Sequence, residues 1–156
     1  MRIAIGSDHC GYEMKVALKP LLAQMGVEAV DFGCHSTEPV DFPDVAKKVC
    51  DAVRENLFER GIMVCGTGVG AAIAANKIPG IRASVCHDIH SAHQCVEHDD
   101  VNIMCIGAQI IGPWLAIDLV RAFLDAKFST EEHFRRRVDK LRLLELEGAR
   151  ELVNGS

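Results

Sequence analysis

Residues 65–70, Cys-Gly-Thr-Gly-Val-Gly, place one thiol beside three glycines. Glycines at this spacing let backbone N–H groups converge on an anion, and a following helix adds its positive end. The same groups favour a thiolate at Cys65. A thiolate beside an oxyanion site suits proton abstraction next to a carbonyl, because the sulfur takes the proton while the N–H groups hold the enediolate. A buried structural cysteine beside a tight turn is the alternative.

Other polar side chains lie next to the short apolar runs of the chain. Asp8 and His9 follow the first run, Gln109 follows the last, and His98 and Asp99 lie just before the last. Ligands of an open α/β sheet bind outside the carboxyl ends of the strands. We therefore expect these residues to meet the thiol at one edge of the sheet. A carboxylate neighbour also suits His98 to acid or base catalysis.

Two further motifs suggest different chemistry. Gly66 to Ala71 matches a G-x-G-x-x-A dinucleotide fingerprint, with Asp88 as the ribose acid, but that fingerprint normally lies in the first βα unit. The second motif is a possible zinc site at His87, His90 and His93, although only His90 and His93 share a helix face. We expect surface or structural histidines, and neither a metal nor an organic cofactor.

Basic residues concentrate near the end of the chain, in Arg135-Arg136-Arg137 followed by Lys140 and Arg142. A solvated helix face explains such a run. A guanidinium fork that binds a phosphate or a carboxylate is the functional alternative.

Five short apolar runs predict β-strands, because they are rich in Ile, Val and Met and are bounded by Gly, Asp or His. They are Arg2–Gly6, Glu28–Phe32, Gly61–Val64, Arg82–Cys86 and Asn102–Ile106. Strands that are apolar on both faces and separated by helices require a parallel sheet covered on both sides. The sequence therefore predicts the α/β class: a single doubly wound, Rossmann-like domain over residues 1–156, with a five-stranded parallel sheet.

Helical periodicity fills the intervals between these strands. The predicted helices are Met14–Met25, Val45–Leu57, Val69–Asn76, Ser91–Glu97 and Pro113–Ala126, with Pro20 as a kink or break in the first and Gly26 as its end signal. A Ser-x-x-Glu start at Ser129 predicts a last helix over about residues 130–152. No strand follows its apolar stripe of Val138, Leu141, Leu144 and Leu152, so we expect it to pack at a subunit interface.

The composition excludes several classes of protein. Hydrophobic residues make up 49% and charged residues 25%, as in globular proteins, and no apolar stretch reaches the roughly 20 residues of a membrane helix. The net charge of −5 argues against a nucleic-acid or anionic-membrane binder. Seven cysteines without a C-x-x-C pair favour a reduced cytoplasmic protein, with the six besides Cys65 as packing residues.

Longer motifs carry a resemblance to a known family. They are I-G-S-D-H, V-C-G-T-G-V-G-A-A-I-A-A-N-K-I-P-G-I-R-A, H-D-x-x-S-A-H, E-H-D-D-V-N and G-A-Q-I-I-G. Over about its whole length the chain resembles the ribose-5-phosphate isomerase B family, which includes the galactose-6-phosphate isomerase subunits. The resemblance implies an aldose–ketose isomerase that needs no metal or cofactor. It also implies a sugar or sugar phosphate as substrate and a homodimer or tetramer with sites across the interface.

The resemblance assigns a role to each candidate. Cys65 would move the proton between C1 and C2 of the open-chain sugar, and the glycine nest (Gly66, Thr67, Gly68, Val69 and Gly70) would hold the enediolate oxygen. His98, with Asp8 nearby, would open the sugar ring. His9 would face the phosphate, and Arg136 or Arg137 of a neighbouring subunit would clamp it.

Three positions depart from the family pattern. Asp99 replaces the Asn after the ring-opening histidine, Gln109 replaces Arg in the G-A-R turn, and Glu132 replaces the Arg before His133. Two cations that would face a phosphate are thus lost. The substrate is then either a pentose phosphate such as ribose 5-phosphate, or a sugar that lacks the phosphate or differs in length. A non-catalytic subunit of a heteromeric isomerase is a further alternative.

Overall fold

Strands and helices alternate along the chain in a computed structural model that describes residues 1–155. They are β1 Arg2–Ser7, α1 Tyr12–Gln24, β2 Glu28–Asp31, α2 Phe42–Arg54, β3 Arg60–Cys65, α3 Val69–Ala75, β4 Ala83–Val85, α4 Ile89–Asp99, β5 Ile103–Gly107, α5 Pro113–Asp125 and α6 Glu132–Asn154. The predicted α/β class with a five-stranded sheet is confirmed.

The sheet is parallel throughout, in the order β2-β1-β3-β5-β4. From β1 the chain passes to one side to form β2, and it then returns to place β3 on the other side of β1. Doubly wound folds bind their ligands at such a reversal of strand order, outside the carboxyl ends of the strands. The ends of β1 and β3 therefore mark the expected site.

Helices cover both faces of the sheet, because successive side chains of a strand point to opposite faces. On one face Ile5, Ile62 and Met104 pack with α1, α4 and α5. On the other face Ala4 and Met63 pack with α2 and α3. Nearly every side chain of β1, β3 and β5 is buried. The groups that contact a ligand therefore have to come from the segments at the strand ends.

Two local features differ from the predictions. Helix α1 continues through Pro20 to Gln24, so Pro20 does not break the helix, and the alternative kink at Pro20 stays a prediction. The carbonyl that loses its N–H partner there belongs to Val16, an exposed residue, so water can replace the missing bond. Helix α6 begins at Glu132 with Glu131 as its N-cap residue, while the Ser129 Oγ accepts from the Glu131 N–H at 3.1 Å. Ser129 thus closes a turn before the helix and does not cap it.

Helix α6 is buried over only part of its length. Val138 is buried, whereas the other residues of the predicted apolar stripe are exposed and, with Ile81 and Ala149, line a groove of about 720 Å³. Packing of α6 on another subunit stays a prediction. Among the described residues, none of the helices is both long enough and apolar enough to span a bilayer.

Candidate active site

The thiol of Cys65 lies at the end of β3, where the chain turns through the glycine nest into α3. Gly68 adopts a φ of +82°, which glycine accepts without strain. This turn brings the Gly68 N–H to the Cys65 Sγ, to which it donates at 3.1 Å. Cys65 is only 5% exposed. The N–H therefore takes the place of water in stabilising negative charge on the sulfur.

The nest offers hydrogen-bond donors next to this thiol. The Thr67 Oγ1 accepts from the Val69 N–H at 3.3 Å, and its own proton remains free to donate. The first N–H groups of α3 also have no acceptor within the helix. The arrangement can therefore hold an oxyanion beside a base, as proton abstraction next to a carbonyl requires.

The turn after β5 supports the nest from behind. The Ala108 N–H donates to the Cys65 carbonyl oxygen at 2.8 Å. A Cβ at Gly107 would lie 2.7 Å from the Thr67 carbonyl carbon, so only glycine fits there. The Gly107 N–H donates to His87 Nε2 at 2.9 Å. His87 is thus a structural residue.

Asp8 and His9 form the turn after β1, against the nest. The Asp8 N–H donates to the Val64 carbonyl oxygen at 3.1 Å, and the Asp8 Oδ1 accepts from the Gly11 N–H at 2.9 Å. His9 Nδ1 accepts from the Val40 N–H at 3.3 Å. The structure therefore brings Asp8, His9, the nest and Gln109 together at the carboxyl edge of the sheet. We call this set the carboxyl-edge cluster.

Cys10 also belongs to this turn, and it is exposed. The prediction that the six cysteines besides Cys65 are packing residues is wrong for Cys10, because its turn faces the site and not the core. Desolvation, together with the negative charges of Asp8 and Cys65, raises the pKa of the Cys10 thiol.

Three side-chain atoms that could bind a metal, one each from Asp8, His9 and Cys10, lie within 4.8 Å of one another. Among residues 1–155 this is the one group of three such ligands. The alternative zinc site at His87, His90 and His93 therefore does not form among residues 1–155. Asp88 caps α4, because its side chain accepts a hydrogen bond from the Ser91 N–H at 2.8 Å. The dinucleotide alternative had given this residue the role of a ribose ligand.

His98 and Asp99 do not lie at the carboxyl edge, and this expectation is wrong. They end α4, and β5 begins only at Ile103, which pairs with Gly61 near the start of β3. Cys65 pairs instead with Gly107, at the far end of both strands. A helix between parallel strands returns the chain to their amino ends. His98 therefore lies at the opposite edge, with the five residues of β5, about 13–17 Å, in between.

The start of α6 joins His98 at this amino edge. The Phe134 ring stacks on His98 with a centroid distance of 4.0 Å and an interplanar angle of 18°. His133 also contacts this ring, and the Arg137 guanidinium lies 5.7 Å from its centroid. Arg136 Nη1 contacts both Glu132 carboxylate oxygens, at 3.0 and 3.1 Å. These residues and Asp99 form the amino-edge cluster.

Sequence reasoning missed three residues that lie in or beside these clusters. Cys10 directly follows Asp8 and His9, and this adjacency to two candidate site residues was the sequence signal that could have identified it. Phe134 lies among the basic residues of α6, and no local pattern indicated its contact with His98. Phe42 lies against the nest, because a Cβ at Gly70 would be 2.9 Å from its ring. That contact joins α2 to α3 and is visible only in the fold.

Relatives and solved structures match almost the whole chain. Ribose-5-P isomerase B of Listeria innocua is 47% identical over 129 residues, covering 83% of this chain and 87% of that protein. D-erythrulose-4-phosphate isomerase of Pectobacterium atrosepticum is 39% identical over 129 residues, covering 82% and 85%. The structure of ribose-5-phosphate isomerase B from Clostridium thermocellum matches with a TM-score of 0.91 at 44% identity, covering 94% and 99%. That of the Mycoplasma genitalium enzyme with bound ribulose-5-phosphate matches with a TM-score of 0.88 at 34% identity, covering 94% and 97%.

The doubly wound sheet, the thiol and the nest, taken with these relatives, define an aldose–ketose isomerase. The sequence profile of the Ribose/Galactose Isomerase family matches residues 3–141. The chain belongs to this family.

Proposed function

We propose that the chain interconverts ribose 5-phosphate and ribulose 5-phosphate. The observation that carries the proposal is the Cys65 thiol, held by the Gly68 N–H within a nest of donors. The names of the relatives supply the substrate, since most of those reported above are ribose-5-phosphate isomerases B.

The reaction uses only groups of the protein. The Cys65 thiolate removes the C2 proton of the open-chain aldose, and the developing enediolate oxygen accepts hydrogen bonds from Thr67 and the nest. The proton returns to C1 while the hydroxyl proton of O2 passes to O1, and the ketose results. His98 opens the sugar ring by acid and base transfer, and Asp8 lies at the carboxyl edge beside the base. This scheme needs neither a metal nor an organic cofactor, and it needs a free thiol, which a reducing cytoplasm maintains.

We also propose that two copies of the chain build each site. A single chain holds the base and the ring-opening histidine at opposite edges of the sheet, too far apart for one pentose to reach both. A two-fold dimer can place the amino-edge cluster of one copy against the carboxyl-edge cluster of the other. Val69 of the nest and Ile73, both exposed apolar residues on α3, form a surface of the kind that such a contact buries.

Complementation tests this arrangement. Cys65→Ala and His98→Asn are each expected to abolish turnover. Random pairing of the two variants makes half of the dimers mixed, and each mixed dimer has one intact site of two. About a quarter of the wild-type rate should therefore return. Cys65→Ala mixed with Thr67→Ala is the matched control, because both changes affect the same cluster and every mixed site stays damaged. Equal rates in the two mixtures would contradict the shared site.

Exchange of the C2 proton tests the role of Cys65. In deuterated water the wild-type chain, purified alone, should convert ribose 5-phosphate and incorporate deuterium into sugar and product. Cys65→Ser should lose both activities, because a hydroxyl is a far weaker base than a thiolate at neutral pH. Cys10→Ser is the control that should keep both. Absence of turnover by the purified wild-type chain would favour the non-catalytic subunit.

One observation favours a second substrate class, a sugar without a phosphate or of another length. Two groups of the amino-edge cluster already lie beside carboxylates: Arg136 is paired with Glu132, and His133 Nδ1 lies 3.4 Å from a Glu131 carboxylate oxygen. A phosphate dianion would have to displace these carboxylates. Comparison of kcat/KM for ribose and ribose 5-phosphate decides between the classes: a strong preference for the phosphate excludes the second. Glu132→Gln, which frees Arg136, should raise the preference for the phosphate.

A further inference from the structure

The turn after β1 carries a carboxylate, an imidazole and a thiol on consecutive residues, Asp8, His9 and Cys10, and their ligand atoms lie within 4.8 Å of one another. Oxygen, nitrogen and sulfur ligands lie about 2.0–2.3 Å from a zinc ion, so neighbouring ligands of a tetrahedral site are about 3.5 Å apart. The three groups need to approach by about 1 Å to share one ion. Asp8 is buried, so rotation of the half-buried His9 and the exposed Cys10 side chains supplies that movement.

The turn is held in place while its ligand atoms remain available. Backbone bonds from Asp8 to Val64 and from Gly11 to the Asp8 Oδ1 anchor it, and they leave the other Asp8 oxygen for a cation. The bond from Val40 to His9 is long, at 3.3 Å, so it holds the imidazole lone pair only weakly. The Cys10 thiol is exposed and can be reached from solvent.

We propose that Asp8, His9 and Cys10 bind a Zn²⁺ ion, and that the bound ion inhibits the enzyme. The Cys10 thiol releases its proton to solvent as the sulfur–zinc bond forms. Three protein ligands leave the fourth position to water. The Cys10 Cβ is 3.7 Å from where a Cβ of Gly66 would lie, so the ion is held against the nest, where the sugar binds. Zinc binding does not depend on the proposed reaction, whereas the inhibition does.

Calorimetric titration of the reduced, metal-free chain with zinc chloride tests the binding. We expect one ion per chain, and affinity about tenfold or more lower in Cys10→Ser and Cys10→Ala. His90→Ala, which removes an exposed histidine from α4, should bind zinc as the wild type does. Cobalt(II) supplies a second probe, because a thiolate–cobalt charge-transfer band should appear with the wild type and be absent from both Cys10 variants.

Turnover measurements test the inhibition. Zinc should lower the wild-type rate, a chelator should restore it, and Cys10→Ser should keep the basal rate while needing about tenfold more zinc for inhibition. Wild-type zinc affinity in both Cys10 variants, or no stoichiometric binding to the wild type, would overturn the proposal. If the chain binds zinc through Cys10 but shows no turnover, the zinc site is confirmed and the proposed function is wrong.

Discussion

The Gln109 side chain covers Gly66 at the edge of the nest. Its Oε1 lies 3.1 Å from where a Cβ of Gly66 would stand, and the Gln109 N–H donates to the Gly66 carbonyl oxygen at 3.0 Å. A neutral amide therefore borders the oxyanion site at the position where the related pattern has arginine. This position offers a direct way to alter the charge that the substrate meets.

Gln109→Arg should raise the preference for phosphorylated over unphosphorylated sugar by about tenfold or more, since a charge-assisted hydrogen bond contributes about 1.5–3 kcal/mol. The measurement is the ratio of kcat/KM for ribose 5-phosphate and ribose. Gln109→Met, similar in length and uncharged, should leave the ratio near the wild-type value. An unchanged ratio in the arginine variant would place the phosphate elsewhere.

Gly107→Ala should displace the nest, because the added Cβ would lie within 2.8 Å of the Thr67 backbone. We expect a loss of about 1–3 kcal/mol of unfolding free energy, the usual cost of overpacking, and a lower kcat. Urea denaturation and steady-state kinetics measure the two effects. Gly148→Ala is the control: nothing lies within 4 Å of its Cβ, and alanine should stabilise α6 by about 0.5–1 kcal/mol. Wild-type kinetics in Gly107→Ala would show that the nest tolerates the displacement.

Because its ring stacks on His98, we expect Phe134 to act as a positioning residue. Its replacement by alanine removes a ring contact of about 0.5–1.5 kcal/mol, so kcat should fall by about 2- to 10-fold. Phe134→Tyr keeps the stacked ring and should restore kcat. A comparison of kcat with KM distinguishes positioning from folding, because a misplaced His98 should lower kcat while KM and the thermal unfolding of the tyrosine variant stay near the wild-type values. Equal kcat values in the alanine and tyrosine variants would refute this role.

Asp31, at the end of β2, pairs with Lys15, whose side chain is fully buried. Burial by itself would raise the pKa of Asp31, but hydrogen bonds from Lys15, the Gly33 N–H and Lys19 outweigh burial and lower this pKa below its usual range. A lowered pKa in the folded state means that ionised Asp31 stabilises the protein above the unfolded pKa of about 4, and that this contribution disappears as the pH falls through the folded pKa.

Asp31→Asn should therefore cost about 3 kcal/mol at neutral pH, because it leaves Lys15 as an uncompensated buried charge. The difference from wild type should shrink as the pH falls below about 4. Denaturant titrations at several pH values measure it. Asp118→Asn, which breaks the exposed pair with Arg121, should cost less than about 1 kcal/mol at any pH. A pH-independent loss in Asp31→Asn would contradict the ion pair.

The nest was predictable because its determinants are local. Gly68 needs its left-handed φ, and Cys65 and Thr67 follow directly from the strand that ends there. The position of His98 was predicted at the wrong edge. The sequence shows that this residue precedes β5, but α4 runs back along the sheet, so the end of that helix lies at the amino ends of the strands. The stacking of Phe134 on His98 also joins segments that no local pattern links.

By itself, the sequence determined the α/β class, the strands and the chemical character of residues 65–70, because hydrophobic periodicity and glycine spacing act over a few residues. The order of strands and helices also predicted that Asp8, His9 and Gln109 share an edge with Cys65. Only the tertiary structure decided that His98 lies at the opposite edge, with Phe134 stacked on it. The physical reason is the length and direction of the elements. A strand of five residues separates its two ends by more than a pentose can span, and each crossover helix carries the chain back from one end to the other.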